Sequence, residues 1–117
     1  MFMFFMLRDF FNDSDFPTIT KTNYGYIADG VDSKIIKIKI NDEKIVESIK
    51  EALNDNYLDY TKSIVKIKSQ KELSDDVINK IINTIKAQTN ISDNLIYKVK
   101  TDSDYINELK LIILLAK

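Results

Sequence analysis

The side chains of this 117-residue chain that could do chemistry are carboxylates, lysines and hydroxyls, because the sequence contains no His, Cys or Trp. That removes imidazole and thiol nucleophiles, disulfides, the common transition-metal ligands and the usual general base near neutral pH. The carboxylates gather as Asp9, Asp13 and Asp15, as Asp29 and Asp32, and as Asp102 and Asp104. A calcium loop needs oxygen ligands at fixed positions, a mid-loop glycine and a closing Glu. Asp13-Ser14-Asp15 runs into Phe16-Pro17 and Asp29-Gly30 has its glycine in the wrong place, so these read as solvated turn carboxylates. Acid–base work by a carboxylate pair would need a cleft with two facing Asp or Glu, and no spacing here marks one. Lys37, Lys39, Lys66 and Lys68 alternate with apolar residues, the pattern of a wet sheet face. The same four could instead form a basic stripe with Tyr24 and Tyr26 as stacking platforms. Gly25 and Gly30 are the two glycines, too few for a phosphate-cradling loop. The expectation is a non-catalytic protein with no cofactor and no metal.

Charge balance points away from nucleic acid. There are 17 basic and 18 acidic residues, a net charge of −1, whereas phosphate neutralisation normally shows as a basic excess. The basic residues are 16 Lys and the single Arg8, and Lys lacks the planar fork that phosphate and base readout favour. With 19 Ile against 9 Leu, the Lys, Ile and Asn bias fits A+T-rich codons. The absence of Cys fits a reducing compartment, so a cytoplasmic location is expected.

The chain opens Met1-Phe2-Met3-Phe4-Phe5-Met6-Leu7 and continues Arg8-Asp9-Phe10-Phe11. This run is far short of the roughly 20 residues of a membrane span, and it lacks the basic start and cleavage site of a signal peptide. An uncovered run so apolar would aggregate. A buried N-terminal strand or helix, a docking segment for a partner, and a membrane-surface anchor all remain open. Phe2, Phe4, Phe5, Leu7, Phe10 and Phe11 are the candidate partner-binding residues.

The elements that must position these groups can be read from periodicity. Asn12 to Pro17 is turn-rich, and residues 1–17 form the docking segment and turn. Thr18–Thr22, Tyr24–Ala28 and Lys34–Ile40 carry strand signals, with Asp29-Gly30 as a hairpin turn. Asn41 or Asp42 caps a helix whose apolar positions are Ile45, Val46, Ile49, Ala52 and Leu53. Ser63–Lys68 is a strand. Ser74 caps a second helix with Asp75 and Asp76 in its first turn and the stripe Val77, Ile78, Ile81, Ile82 and Ile85. Leu95–Lys100 is a strand, residues 101–104 turn, and the apolar run Glu108–Ala116 suits a buried central strand better than a helix, although periodicity alone does not decide between the two. The order β-β-α-β-α-β-β predicts an α+β two-layer sandwich, with two helices packed on a mainly antiparallel sheet. Residues 18–117 make one domain, a hairpin over 18–41 followed by an α-β-α-β-β module over 42–117.

From Tyr57 to Ser69, through Glu72-Leu73-Ser74-Asp75-Asp76, and on through Val99, Asp102 and Ile106 into Leu109–Ile113, the sequence resembles the C-terminal region of the δ subunit of F-type ATP synthases, the relative of the oligomycin-sensitivity-conferring protein. The resemblance covers residues 43–117. It departs where the family has Gly-Gly after that Ile, since Asn107-Glu108 stand here, and in the strand signals of residues 1–41, where the family has a helical bundle. The resemblance implies an accessory subunit of a divergent F-type-like rotary ATPase, such as a mycoplasma-type paralogous motor linked to gliding. Its partners would be ATPase head or stalk subunits, and the complex would hold it near a membrane without a span of its own. The alternative is a small phage-type inhibitor or immunity protein that blocks a partner.

Overall fold

The computed structural model describes residue 10, residues 13–16 and residues 33–117. Over the last of these the chain forms β1 (Ser33–Asn41), a 3₁₀ turn (Asp42–Lys44), α1 (Ile45–Leu53), β2 (Lys62–Ser69), α2 (Asp75–Ala87), β3 (Leu95–Thr101) and β4 (Glu108–Ala116). The strands make one four-stranded sheet in the order β1-β4-β2-β3. β4 pairs antiparallel with β1 and β2, and β2 pairs parallel with β3 across the α2 crossover. The expected α+β sandwich on a mainly antiparallel sheet is present. The expected strands at Thr18–Thr22 and Tyr24–Ala28 and the Asp29-Gly30 turn lie outside the described residues.

Each element follows from local chemistry. In β1, Ile36, Ile38 and Ile40 point to one side and Ile35, Lys37 and Lys39 to the other, as a pleat requires. Asn41 Oδ1 accepts a bond from the Glu43 amide at 3.0 Å. It caps the 3₁₀ turn rather than the α-helix itself, so α1 starts at Ile45, later than the capping signal alone suggests. α1 ends where Asn54 takes a left-handed conformation, φ 46°, and returns its amide to the Lys50 carbonyl. Asn tolerates that region better than most residues. Ser74 Oγ accepts from the Val77 amide at 3.3 Å and so caps α2, whose first turn carries Asp75 and Asp76 against its positive end.

β4 is the central strand expected from its apolar run, with both neighbours bonded to it. Leu109, Leu111, Ile113 and Leu115 enter the core between sheet and helices, along with Ile38, Ile40, Val65, Ile67, Ile49, Leu53, Ile81 and Ile85. Ile112, Leu114 and Ala116 enter a second cluster on the opposite face, with Ile64, Phe10 and Phe16. A strand covered on both sides reads as a continuous apolar run, which is why alternation fails there.

Candidate functional site

The second face of the sheet concentrates the chemistry-bearing groups. Its residues line up in rows set by strand register. In one row Ile35, Leu114, Ile64 and Ile96 lie side by side, all apolar. The next holds Lys37, Ile112, Lys66 and Lys98. The third holds Lys39, Lys110, Lys68 and Lys100, four lysines across all four strands. Adjacent strands are about 4.8 Å apart, so these cations are near neighbours. Like charges directly opposite one another disfavour the sheet unless anions compensate them.

Part of that compensation comes from the segment before the sheet. The Phe16 amide bonds the Asp13 carbonyl at 3.1 Å and the Asp15 amide bonds Asp13 Oδ1 at 3.0 Å, closing a tight turn. Flanking it, Phe10 and Phe16 cover the apolar row and are only 5% and 2% exposed. Lys66 is 1% exposed. Its Nζ donates to the Phe10 carbonyl oxygen and to Asp13 Oδ2 at 3.3 Å, and stands 3.8 Å from the centre of the Phe10 ring. Lys68 Nζ reaches Asp15 Oδ2 at 2.8 Å. The segment is a strap, fixed by two rings in an apolar row and two carboxylates on two lysines.

Burial pushes the Lys66 ammonium below the ordinary lysine range, Asp13 offsets this only in part, and Lys68 and Lys37 push in the same direction as burial. For Lys68 burial also works downward, but the hydrogen bond and charge of Asp15 outweigh it and raise the group. The same hydrogen bond, then the charge of Lys68, hold the Asp15 carboxyl below its usual range. A lysine with depressed basicity is a nucleophile candidate. Lys66, however, is sealed beneath Phe10 and Phe16 and already bonded, so it reads as an anchor.

Expectation and observation diverge at these residues. Lys37 and Lys39 do lie exposed on a wet face. Lys66 and Lys68 do not: the strap covers them, and Asp13 and Asp15 are ion-pair partners rather than free turn carboxylates. Lys98, Lys100 and Lys110 join the same face, and their alternation in Lys98-Val99-Lys100 was a signal that only register could place. Of the proposed partner-binding residues, Phe10 is turned onto the chain's own sheet, while Phe2, Phe4, Phe5, Leu7 and Phe11 lie outside the described residues. Tyr24 and Tyr26 lie outside them too.

Elsewhere the surface is less concentrated. A groove of about 350 Å³ opens between the β2–α2 loop and the β3–β4 connection, lined by Ile45, Ser69, Leu73, Val77 and Tyr105 among others. Ser69 Oγ is spent there on the Lys71 carbonyl at 2.5 Å. Leu58 and Ile106 are exposed apolar residues on loops, and Tyr97 and Val99 are exposed on β3. Asp102 Oδ1 accepts from the Asp104 amide at 3.0 Å, a local turn bond. Among the described residues no group of three Asp or Glu could hold a metal ion, and no helix is long and apolar enough to cross a membrane.

No protein-family model and no curated protein matches the chain. Its fold is similar to solved structures of FtsZ and TubZ. An FtsZ dimer of M. jannaschii matches with a TM-score of 0.63 and 14% identity, over 75% of this chain and 27% of that one. A second M. jannaschii FtsZ structure matches at TM-score 0.61 and 14% identity, over 73% and 27%. TubZ of Bacillus thuringiensis serovar israelensis, in GDP-form protofilaments, matches at TM-score 0.57 and 13% identity, over 72% and 25%. The chain thus spans about a quarter of the length of these structures. This overturns the expected kinship with the ATP synthase δ subunit, and with it the F-type-like motor and its head or stalk partners. The motifs behind that expectation are general devices of helix starts, a serine cap and an acidic first turn. What the chain shares with these structures is the fold of the matched part, about three quarters of its own length and about a quarter of theirs.

Proposed function

We propose that this chain is an assembly module, a domain that associates with copies of itself or with a protein partner in a filament-type, cytoskeletal structure. The observation that carries this reading is the fold similarity to an FtsZ dimer and to TubZ in protofilaments, over about three quarters of this chain. The likeness covers only about a quarter of either neighbour, so only a structural share of such an assembly is proposed. Nucleotide chemistry is not part of the proposal, because two glycines cannot build a phosphate-cradling loop and the sequence has neither His nor Cys. The reading is therefore of a non-enzymatic protein. Exposed Leu58, Ile106, Tyr97 and Val99 are apolar groups that association would cover.

Sedimentation velocity over a hundredfold range of concentration, joined to electron microscopy of negatively stained samples, tests it. Species larger than the monomer that grow with concentration, or co-pelleting with filaments of an FtsZ-type protein, are expected. A chain that stays monomeric throughout and does not pellet with such filaments contradicts the reading.

A further inference from the structure

We propose that the lysine face of the sheet is a docking surface for an acidic protein segment carrying carboxylates two residues apart. The face gathers Lys37, Lys39, Lys66, Lys68, Lys98, Lys100 and Lys110 in two adjacent rows, in a chain whose net charge is −1. Among the described residues only Asp13 and Asp15 answer them with ion pairs, at Lys66 and Lys68. Lys37 and Lys39 on β1, and Lys98 and Lys100 on β3, stay exposed. Each of these pairs has the spacing of Lys66 and Lys68, two residues along a strand or about 6.6 Å.

The strap is the internal example of what the face binds. Its two aspartates are separated by one residue, and each meets one lysine of an alternating pair. A second acidic segment with the same spacing would find two further lysine pairs flanking the strap, and would relieve the repulsion along the four-lysine row. Such a segment is favoured over the other polyanions by what the face lacks. Among the described residues its aromatic side chains, Phe10 and Phe16, are buried, so neither offers a platform for stacking bases. Tyr97 is exposed but belongs to the alternate register of β3, with its neighbour across the sheet being Val65 of the helix-side core. The exposed cations are lysines without the arginine fork for phosphate, and the apolar row that a lipid surface would need is already covered by the strap.

This inference stands apart from the assembly reading, and its test is run at concentrations where sedimentation shows monomer. The probe is a fluorescein-labelled decapeptide of alternating Asp and Ser, followed by anisotropy. Saturable binding at about 50 mM salt is expected, weakening about tenfold by about 300 mM as screening shortens. Charge reversal at exposed edge positions, K98E with K100E, is expected to weaken it at least about tenfold, whereas K50E with K80E on the helices leaves it unchanged. D13N with D15N, which removes the two carboxylates already on the face and leaves Lys68 without its ion pair, is expected to bind more tightly. Absence of saturable binding at low salt, or binding indifferent to K98E with K100E, overturns the proposal. So does equal or tighter binding of a ten-nucleotide oligothymidine, which would make the surface one for nucleic acid.

Discussion

The two faces of the sheet are built from the same four strands and hold their covers by different physics. Toward the helices, Leu109, Leu111, Ile113 and Leu115 of β4 share one apolar cluster with Ile49, Leu53, Ile81 and Ile85. Toward the strap, one row of apolar side chains gives way within two residues to a row of lysines, and the cover is anchored by ions as well as rings. The first kind of contact is non-directional and scales with area, so it fixes the body of the fold. The second depends in part on charge state and salt, so its ionic share weakens as salt rises or the carboxylates take up protons.

Substitutions ranked by expected effect test this contrast. Ile113→Ala empties a fully buried site between sheet and helices and should cost about 2–5 kcal/mol in urea denaturation, with one cooperative transition. If it merely loosened one face, the two sides would not differ as described. Asp13→Ala removes the carboxylate from buried Lys66 while leaving its bond to the Phe10 carbonyl. The expected cost is about 1–3 kcal/mol, and hydrogen exchange should rise in the strap more than in β4. Lys66→Met keeps the length of the side chain but removes the donor to the Phe10 carbonyl and the partner of partly exposed Asp13, so it should cost about 1–3 kcal/mol. A loss as large as that from Ile113→Ala would mean that the ion, not the rings, fixes the strap.

Acid should then separate the two faces without mutation. The folded carboxyl of Asp15 lies below its ordinary value of 3.8. Its contribution is therefore complete above that value and is lost as pH falls through the depressed folded value. Between about pH 4 and pH 2 the strap should become accessible to exchange before the helix-side core does. Lys66 runs the other way. Its folded value lies below 10.5, so the cost of burying its charge fades as pH rises from the folded value toward 10.5, and Lys66→Met should remove that alkaline gain. The smallest effect is expected at Asp59, whose 2.9 Å pair with Lys117 is exposed on both sides. Asp59→Asn should leave the melting midpoint within scatter, because such pairs contribute little.

Most of the secondary structure was legible because its signals are local. The Ser74 cap, the acidic turn after it and the stripe through Ile81 and Ile85 each involve residues within a turn or two of one another. Glu108–Ala116 was legible as a buried apolar element but not decided between strand and helix, because a strand covered on both faces loses the polar positions that reveal its period. The site was not legible to the same degree. Lys68 and Lys110 are 42 positions apart in sequence, and nothing but register makes them neighbours. Lys66 looked like a solvated residue because alternation marks which side of a strand a residue takes, not what lies above that side. The δ-subunit resemblance failed for a similar reason, since it rested on caps and turns that any helix–strand module needs.

The sequence by itself determined that this chain has no imidazole or thiol chemistry, that residues 33–117 carry strand signals and two amphipathic helices, and that lysines fall at alternate positions of those strands. These are properties of composition and of short-range periodicity. Only the tertiary structure decided that the lysines of four strands share one face, that Asp13 and Asp15 are spent on two of them, and that about three quarters of the chain is similar in fold to about a quarter of FtsZ or TubZ. The physical reason is that strand pairing is set by burial of the whole sheet at once, so which charges meet is a consequence of packing between segments distant in sequence.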